Sequence, residues 1–136
     1  MKRLVLLALC FGATGALAEP ESPLPVPEGF EYIEGTTAPP FYLNTQSVRL
    51  NTDATQNTTF AQVMGFIEDD AGNKGYAIHQ FFAQCGTGRL GRTATPYFKA
   101  NQEFVSENKA PASRIVVQGT NDAFIHAALC DKWDEE

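Results

Sequence analysis

From about residue 41 onward, apolar and polar side chains alternate with a period of two, the signature of strands that turn one face toward a core. The clearest runs are TTFAQVMGFI (58–67) and KGYAIHQFFAQC (74–85), both rich in aromatic and β-branched residues. The polar, glycine-bearing EDDAGN between them predicts a hairpin connection. FYLNTQSVRL (41–50) reads as one or two short extended pieces and RTATPYFKA (92–100) as another strand. QEFV (102–105) and RIVV (114–117) predict two further short ones. In TNDAFIHAALCDKW (120–133) the period changes. Phe124, Ala127 and Ala128, with Ile125 and Leu129, recur at helical spacing behind Thr120, Asn121 or Asp122 as a cap. Strands followed by one helix predict an α+β fold, a small antiparallel sheet with a C-terminal helix.

The two clear strands differ between their faces. One face carries Ala61, Val63, Gly65 and Ile67, and beside them Ala77, His79, Phe81, Ala83 and Cys85. Small residues let a helix approach closely, so this is the expected helix side. The opposite face carries Phe60, Gln62, Met64, Phe66, Tyr76, Ile78, Gln80, Phe82 and Gln84. With the same alternation in the next strand, Thr93, Thr95 and Tyr97 join it. Aromatics interleaved with glutamine and threonine suit a binding surface or a subunit interface. Phe60, Phe66, Tyr76, Phe82 and Tyr97, flanked by Arg89 and Arg92, are the candidate binding residues, and self-association through them is open. The competing expectation is that an upstream segment, or residues 41–50, folds over this face.

That upstream segment is distinct in composition. Residues 19–40 hold six of the eight prolines and five glutamates, which predicts an extended arm or linker. Before it, MKRLVLLALCFGATGALA has a basic start, an apolar run and a small-x-small end, as a secretory signal peptide does. The expected organisation is a signal at 1–18, an arm at 19–40, one domain at 41–132 and an acidic tail at 133–136. Cleavage removes Cys10 and leaves Cys85 and Cys130 in a periplasmic or secreted chain. The simplest use of such a pair is a disulfide that tethers the helix to the sheet. It closes a loop of roughly 46 residues, worth roughly 4 kcal/mol in chain entropy. A pair of reactive thiols is the competing reading, but there is no Cys-x-x-Cys spacing.

Charge and motifs exclude several functions. The net charge is −6 and becomes more negative once Lys2 and Arg3 are removed, so nucleic acid and anionic membranes are poor partners. No stable membrane insertion is expected after cleavage. Gly86-x-Gly88-x-x-Gly91 has the letters of a dinucleotide turn, but two threonines and Pro96 follow where a phosphate-facing helix is required. It predicts a turn between antiparallel strands, and no cofactor. The spacing of Glu68, Asp69 and Asp70 does not fit a calcium loop. His126 shares a helical face with Asp122 and Cys130, yet a disulfide at Cys130 leaves neither a zinc set nor a thiol catalyst, so no catalytic or metal residue is assigned.

FYLNTQSVRL, the strand ending FFAQC, the arginine-bearing RLGRTATPYF and the closing RIVVQGTNDAFIHAALC together resemble the surface-adhesin protein E-like domain of Gram-negative bacteria, over roughly residues 41–130. Two features depart from that pattern. Arg114-Ile115-Val116 stands where the family has a tryptophan, and the lipid-anchor cysteine is absent. The resemblance implies a disulfide-tethered helix on a sheet and binding to a protein or other macromolecule rather than chemistry. The expected function is an exported, non-enzymatic, adhesin-like binding module. The alternative is a periplasmic inhibitor or immunity protein that blocks a secreted hydrolase.

Overall fold

The computed structural model describes residues 19–52 and 56–135; the expected signal peptide and Cys10 lie outside them. Three long strands form the centre: β4 (Asn57–Glu68), β5 (Lys74–Gln84) and β6 (Arg89–Lys99). Strands β4 and β5 pair antiparallel in continuous register from Thr58 opposite Gln84 to Glu68 opposite Lys74. The predicted hairpin closes this pair, and Asp69 explains its turn: Oδ1 accepts from the amides of Ala71 and Asn73 at 3.0 and 2.8 Å. Each flank of the meander is shared by two short strands. On one side β2 (Tyr42–Asn44) and β3 (Arg49–Thr52) pair with β4; on the other β7 (Phe104–Asn108) and β8 (Ala112–Ile115) pair with β6. FYLNTQSVRL is therefore two strands, separated by a single 3-10 turn at Thr45–Ser47. The last two strands are displaced from QEFV and RIVV by a few residues, since exposed edges carry little periodicity.

The α+β class holds, with α1 (Asn121–Cys130) as the helix. Thr120 is its cap, the side chain accepting from the Ala123 amide at 3.4 Å. Ile125 and Leu129 are fully buried and meet Ala61, Val63, Ala83 and Leu90 of the sheet, with Leu43 and Ile33 completing the core. Cys85 and Cys130 are bonded, with Cα atoms 5.7 Å apart, so the helix is covalently tied to the end of β5. Beyond it, Asp131–Glu135 makes a 3-10 turn that lies against the domain. Trp133, grouped with the acidic tail in sequence, is half-buried and donates from Nε1 to Thr59 Oγ1 at 2.9 Å.

The proline-rich segment is docked on both sides of the sheet. Leu24 and Val26 pack on Tyr42, Met64 and Tyr76. Tyr76 donates to the Pro25 carbonyl at 2.6 Å, and Tyr42 to the Glu19 carboxylate at 2.6 Å. The segment then adds β1 (Phe30–Tyr32) next to β2 and sends Ile33 into the helix-side core. Buried Thr36 fixes the following turn, donating to the Ile33 carbonyl at 2.7 Å and accepting from the Phe41 amide at 2.9 Å. Thr37 and Asn121 exchange two hydrogen bonds of 3.0 Å, joining this turn to the start of α1. Residues 30–40, counted with the arm in sequence, thus contribute a strand and core side chains.

Candidate functional site

The sheet face away from the helix is the one on which the sequence gathers its aromatic and amide side chains. Strand alternation puts Phe60, Gln62, Met64 and Phe66 of β4 beside Phe82, Gln80, Ile78 and Tyr76 of β5 there. The arm divides this face in two. Over one half, Tyr42, Met64 and Tyr76 are buried beneath Leu24 and Val26, and Phe66 is half-buried against them, its ring 5.8 Å from Tyr76 and 6.0 Å from Tyr42. Burial and the neighbouring Glu19 carboxylate push the Tyr42 hydroxyl up to about 12, so it stays a neutral donor. Phe66 and Tyr76, candidate binding residues in sequence, pack in the cluster beneath the arm, and Tyr76 also borders the open part of the face.

A groove of about 330 Å³ remains open beside it. Pro27 and Phe30 of the arm wall one side, and Pro96, Phe98 and Gln102 the other, with Ile78 and a row of amides on the floor. The row runs across three strands: Asn44 donates from Nδ2 to Gln62 Oε1 at 3.1 Å, and Gln62 stands directly opposite Gln80. Gln80 donates weakly, at 3.4 Å, to its neighbour Ile78's carbonyl, leaving its amide oxygen for a ligand. Gln102 is presented by the turn after β6, where its φ of 71° and the bond from its amide to the Lys99 carbonyl at 2.8 Å reverse the chain. No charged side chain lines the groove.

The third strand departs from simple alternation, and this corrects part of the expected site. Gln80 pairs with Ala94, but Phe81 pairs with Arg92, so Thr93 is an extra residue and β6 changes phase there. Thr95 and Tyr97 consequently face the helix side, Tyr97 opposite Ala77 and Thr95 Oγ1 at 3.2 Å from His79 Nδ1. Arg92, opposite Phe81 and ahead of the bulge, lies on the helix side, while Arg89, opposite Gln84, is on the aromatic face at the far end. Phe60 and Phe82 stay together on it, edge to face at 6.2 Å, with the Arg49 guanidinium 5.3 Å over Phe60. Gly91 is required under Phe82, because a Cβ there would run into the ring. The dinucleotide letters are thereby split, Gly86 and Gly88 in the turn and Gly91 in a strand.

Neither histidine is placed for chemistry on this face. His126 donates from Nε2 to the Gln84 carbonyl at 3.1 Å, beside the disulfide. His79 is stacked on Phe81 with ring centroids 5.1 Å apart, and burial, aided by Arg92, lowers its pKa to about 4. Among the described residues no group of three His, Cys, Asp or Glu could hold a metal ion, and no helix is long and apolar enough to cross a membrane.

Asn44, Gln102, Pro96 and Phe98 were not singled out in sequence as site residues. Pro96 and Phe98 lie on the groove face only because of the Thr93 bulge, and nothing local marks Gln102. Compared by sequence, the chain matches no family model and no curated protein. Compared by structure, it superposes on Haemophilus influenzae protein E with a TM-score of 0.59 at 12% identity, covering 87% of this chain and 96% of that one. In fold, this chain is similar to Haemophilus influenzae protein E.

Proposed function

We propose that this chain is an exported, non-enzymatic binding module of adhesin-like type that holds an extended, uncharged segment of a protein partner in the open groove. One observation carries the reading. The same face already binds an extended proline-rich segment, its own residues 20–27, through the Tyr76 hydroxyl on the Pro25 carbonyl and apolar packing of Leu24 and Val26. The groove continues that track past Pro27, between the rings of Phe30 and Phe98. Aromatic walls with a few placed amides suit such a ligand, because the rings take apolar or proline side chains while Gln80 and Gln62 meet the peptide groups. Neutral walls on an acidic protein leave little for a charge-driven partner. Recognition rather than chemistry also accords with two histidines engaged in packing and hydrogen bonds and two cysteines engaged in a disulfide.

The test is a pull-down with the chain Glu19–Glu136 against extracellular-matrix proteins and periplasmic extract, beside Gln80→Arg and Phe98→Ala variants of unchanged melting temperature. Capture of a matrix protein that falls at least tenfold in Gln80→Arg is expected. Equal capture by wild type and both variants overturns the groove. Capture of a hydrolase whose activity is then blocked, insensitive to Gln80→Arg, favours the inhibitor alternative.

A further inference from the structure

A second cavity, of about 170 Å³, lies on the helix side of the sheet, where β8 and the first turn of α1 close over β5 and β6. Phe41, Phe81, Leu90 and Ile125 form its apolar walls. Arg92 pairs with Phe81 on that face and lines the cavity. Arg92 Nε is fully buried and has no hydrogen-bond partner. Nor does its guanidinium form an ion pair among the described residues. Asp122, the acid in the lining, is engaged by Arg114, whose Nε donates to Asp122 Oδ2 at 2.7 Å. His79 supplies no counter-charge, being a neutral ring held by Thr95 and Phe81.

An arginine cannot shed its charge, and a buried N–H without an acceptor is unfavourable. What the cavity lacks is an acceptor of negative charge joined to a small apolar body. A carboxylate matches the planar fork of an arginine with two parallel hydrogen bonds. A space of roughly 150 Å³ lined by Leu, Ile and Phe is enough for a benzene-sized group. We propose that this cavity binds a small monocarboxylate, its carboxylate on Arg92 and its apolar body against Phe81, Leu90 and Ile125. The site is separate from the groove and stands or falls independently of the partner proposed there.

The charged and titratable groups around the cavity are Arg92, Arg114, Asp122 and His79. Burial and then Arg92 hold the His79 pKa down while Asp122 raises it, so a bound anion beside Arg92 should move it upward. The experiment is an NMR titration of the intact chain with benzoate, and with benzamide as the neutral shape match. Saturable shifts at Phe81, Ile125 and the Arg92 Nε–H are expected with benzoate, together with a rise in the His79 pKa. Benzamide should bind at least tenfold more weakly, and Arg92→Gln should lose benzoate by a similar factor. Equal binding of benzoate and benzamide, or no saturable shift with either, overturns the proposal; both outcomes are read on the wild-type chain, so they do not depend on the variant folding.

Discussion

His79 shows how much one side chain depends on its surroundings. Between the Phe81 and Phe41 rings, with Nδ1 on Thr95, it is shielded from water, and this burial, with Arg92 nearby, lowers its pKa from the ordinary 6.5 to about 4. Above pH 6.5 the folded and unfolded chains carry the same neutral imidazole. Between 6.5 and 4 the unfolded chain takes up a proton that the folded chain refuses, so stability falls as the pH falls through this window. Below about 4 both forms are protonated and no further loss follows. The full effect is on the order of 3 kcal/mol. Urea unfolding at pH 7.5, 5.5 and 4 should show this decline, and His79→Gln, which cannot titrate, should flatten it. An unchanged pH profile in the variant would remove burial of His79 as its cause.

At the scale of elements, the proline-rich arm behaves as a cover for the sheet. Its backbone has no helix to form, so it lies extended and satisfies itself through side chains of the face beneath: Tyr76 on Pro25 and Tyr42 on Glu19. Leu24 and Val26 shield Met64 and Tyr42 from water. Tyr76→Phe should cost about 1 kcal/mol, the net worth of one hydrogen bond. Leu24→Ala with Val26→Ala should cost a further 1–2 kcal/mol or so, given that both are only half-buried. The accompanying readout is faster exchange of amides 20–27 with no change in the amides of β5. Loss of protection in β5 as well would mean that the arm is part of the cooperative core. The β6 bulge is a second decision at this scale: one extra residue, Thr93, sends Thr95 and Tyr97 to the helix side and Pro96 and Phe98 to the groove.

For the whole molecule, the Cys85–Cys130 bond joins the residue just after β5 to the last residue of α1 across 45 positions of chain. The chain Glu19–Glu136 should show no titratable thiol in non-reducing denaturant, and two per chain would contradict the pairing. Reduction, or Cys85→Ala with Cys130→Ala, should lower stability by roughly 4 kcal/mol, read as a shift of the urea midpoint. The sequence by itself determined the fold class, the long central hairpin, the helix with its Thr120 cap, and which face of β4 and β5 receives it. Period-two and 3.6-residue patterns record burial directly, and these elements are buried on one side over many residues. The pairing of Cys85 with Cys130 was legible because few alternatives exist for two cysteines. Only the tertiary structure decided what the other face does. Phe66 and Tyr76 look exposed in a strand pattern, but that pattern cannot register a cover supplied from 40 to 50 residues upstream. Nor can alternation foresee a bulge, because Thr93 fits the period locally and is extra only relative to its partner strand. The open groove follows from these two long-range facts, the docking of one chain segment and the register of another.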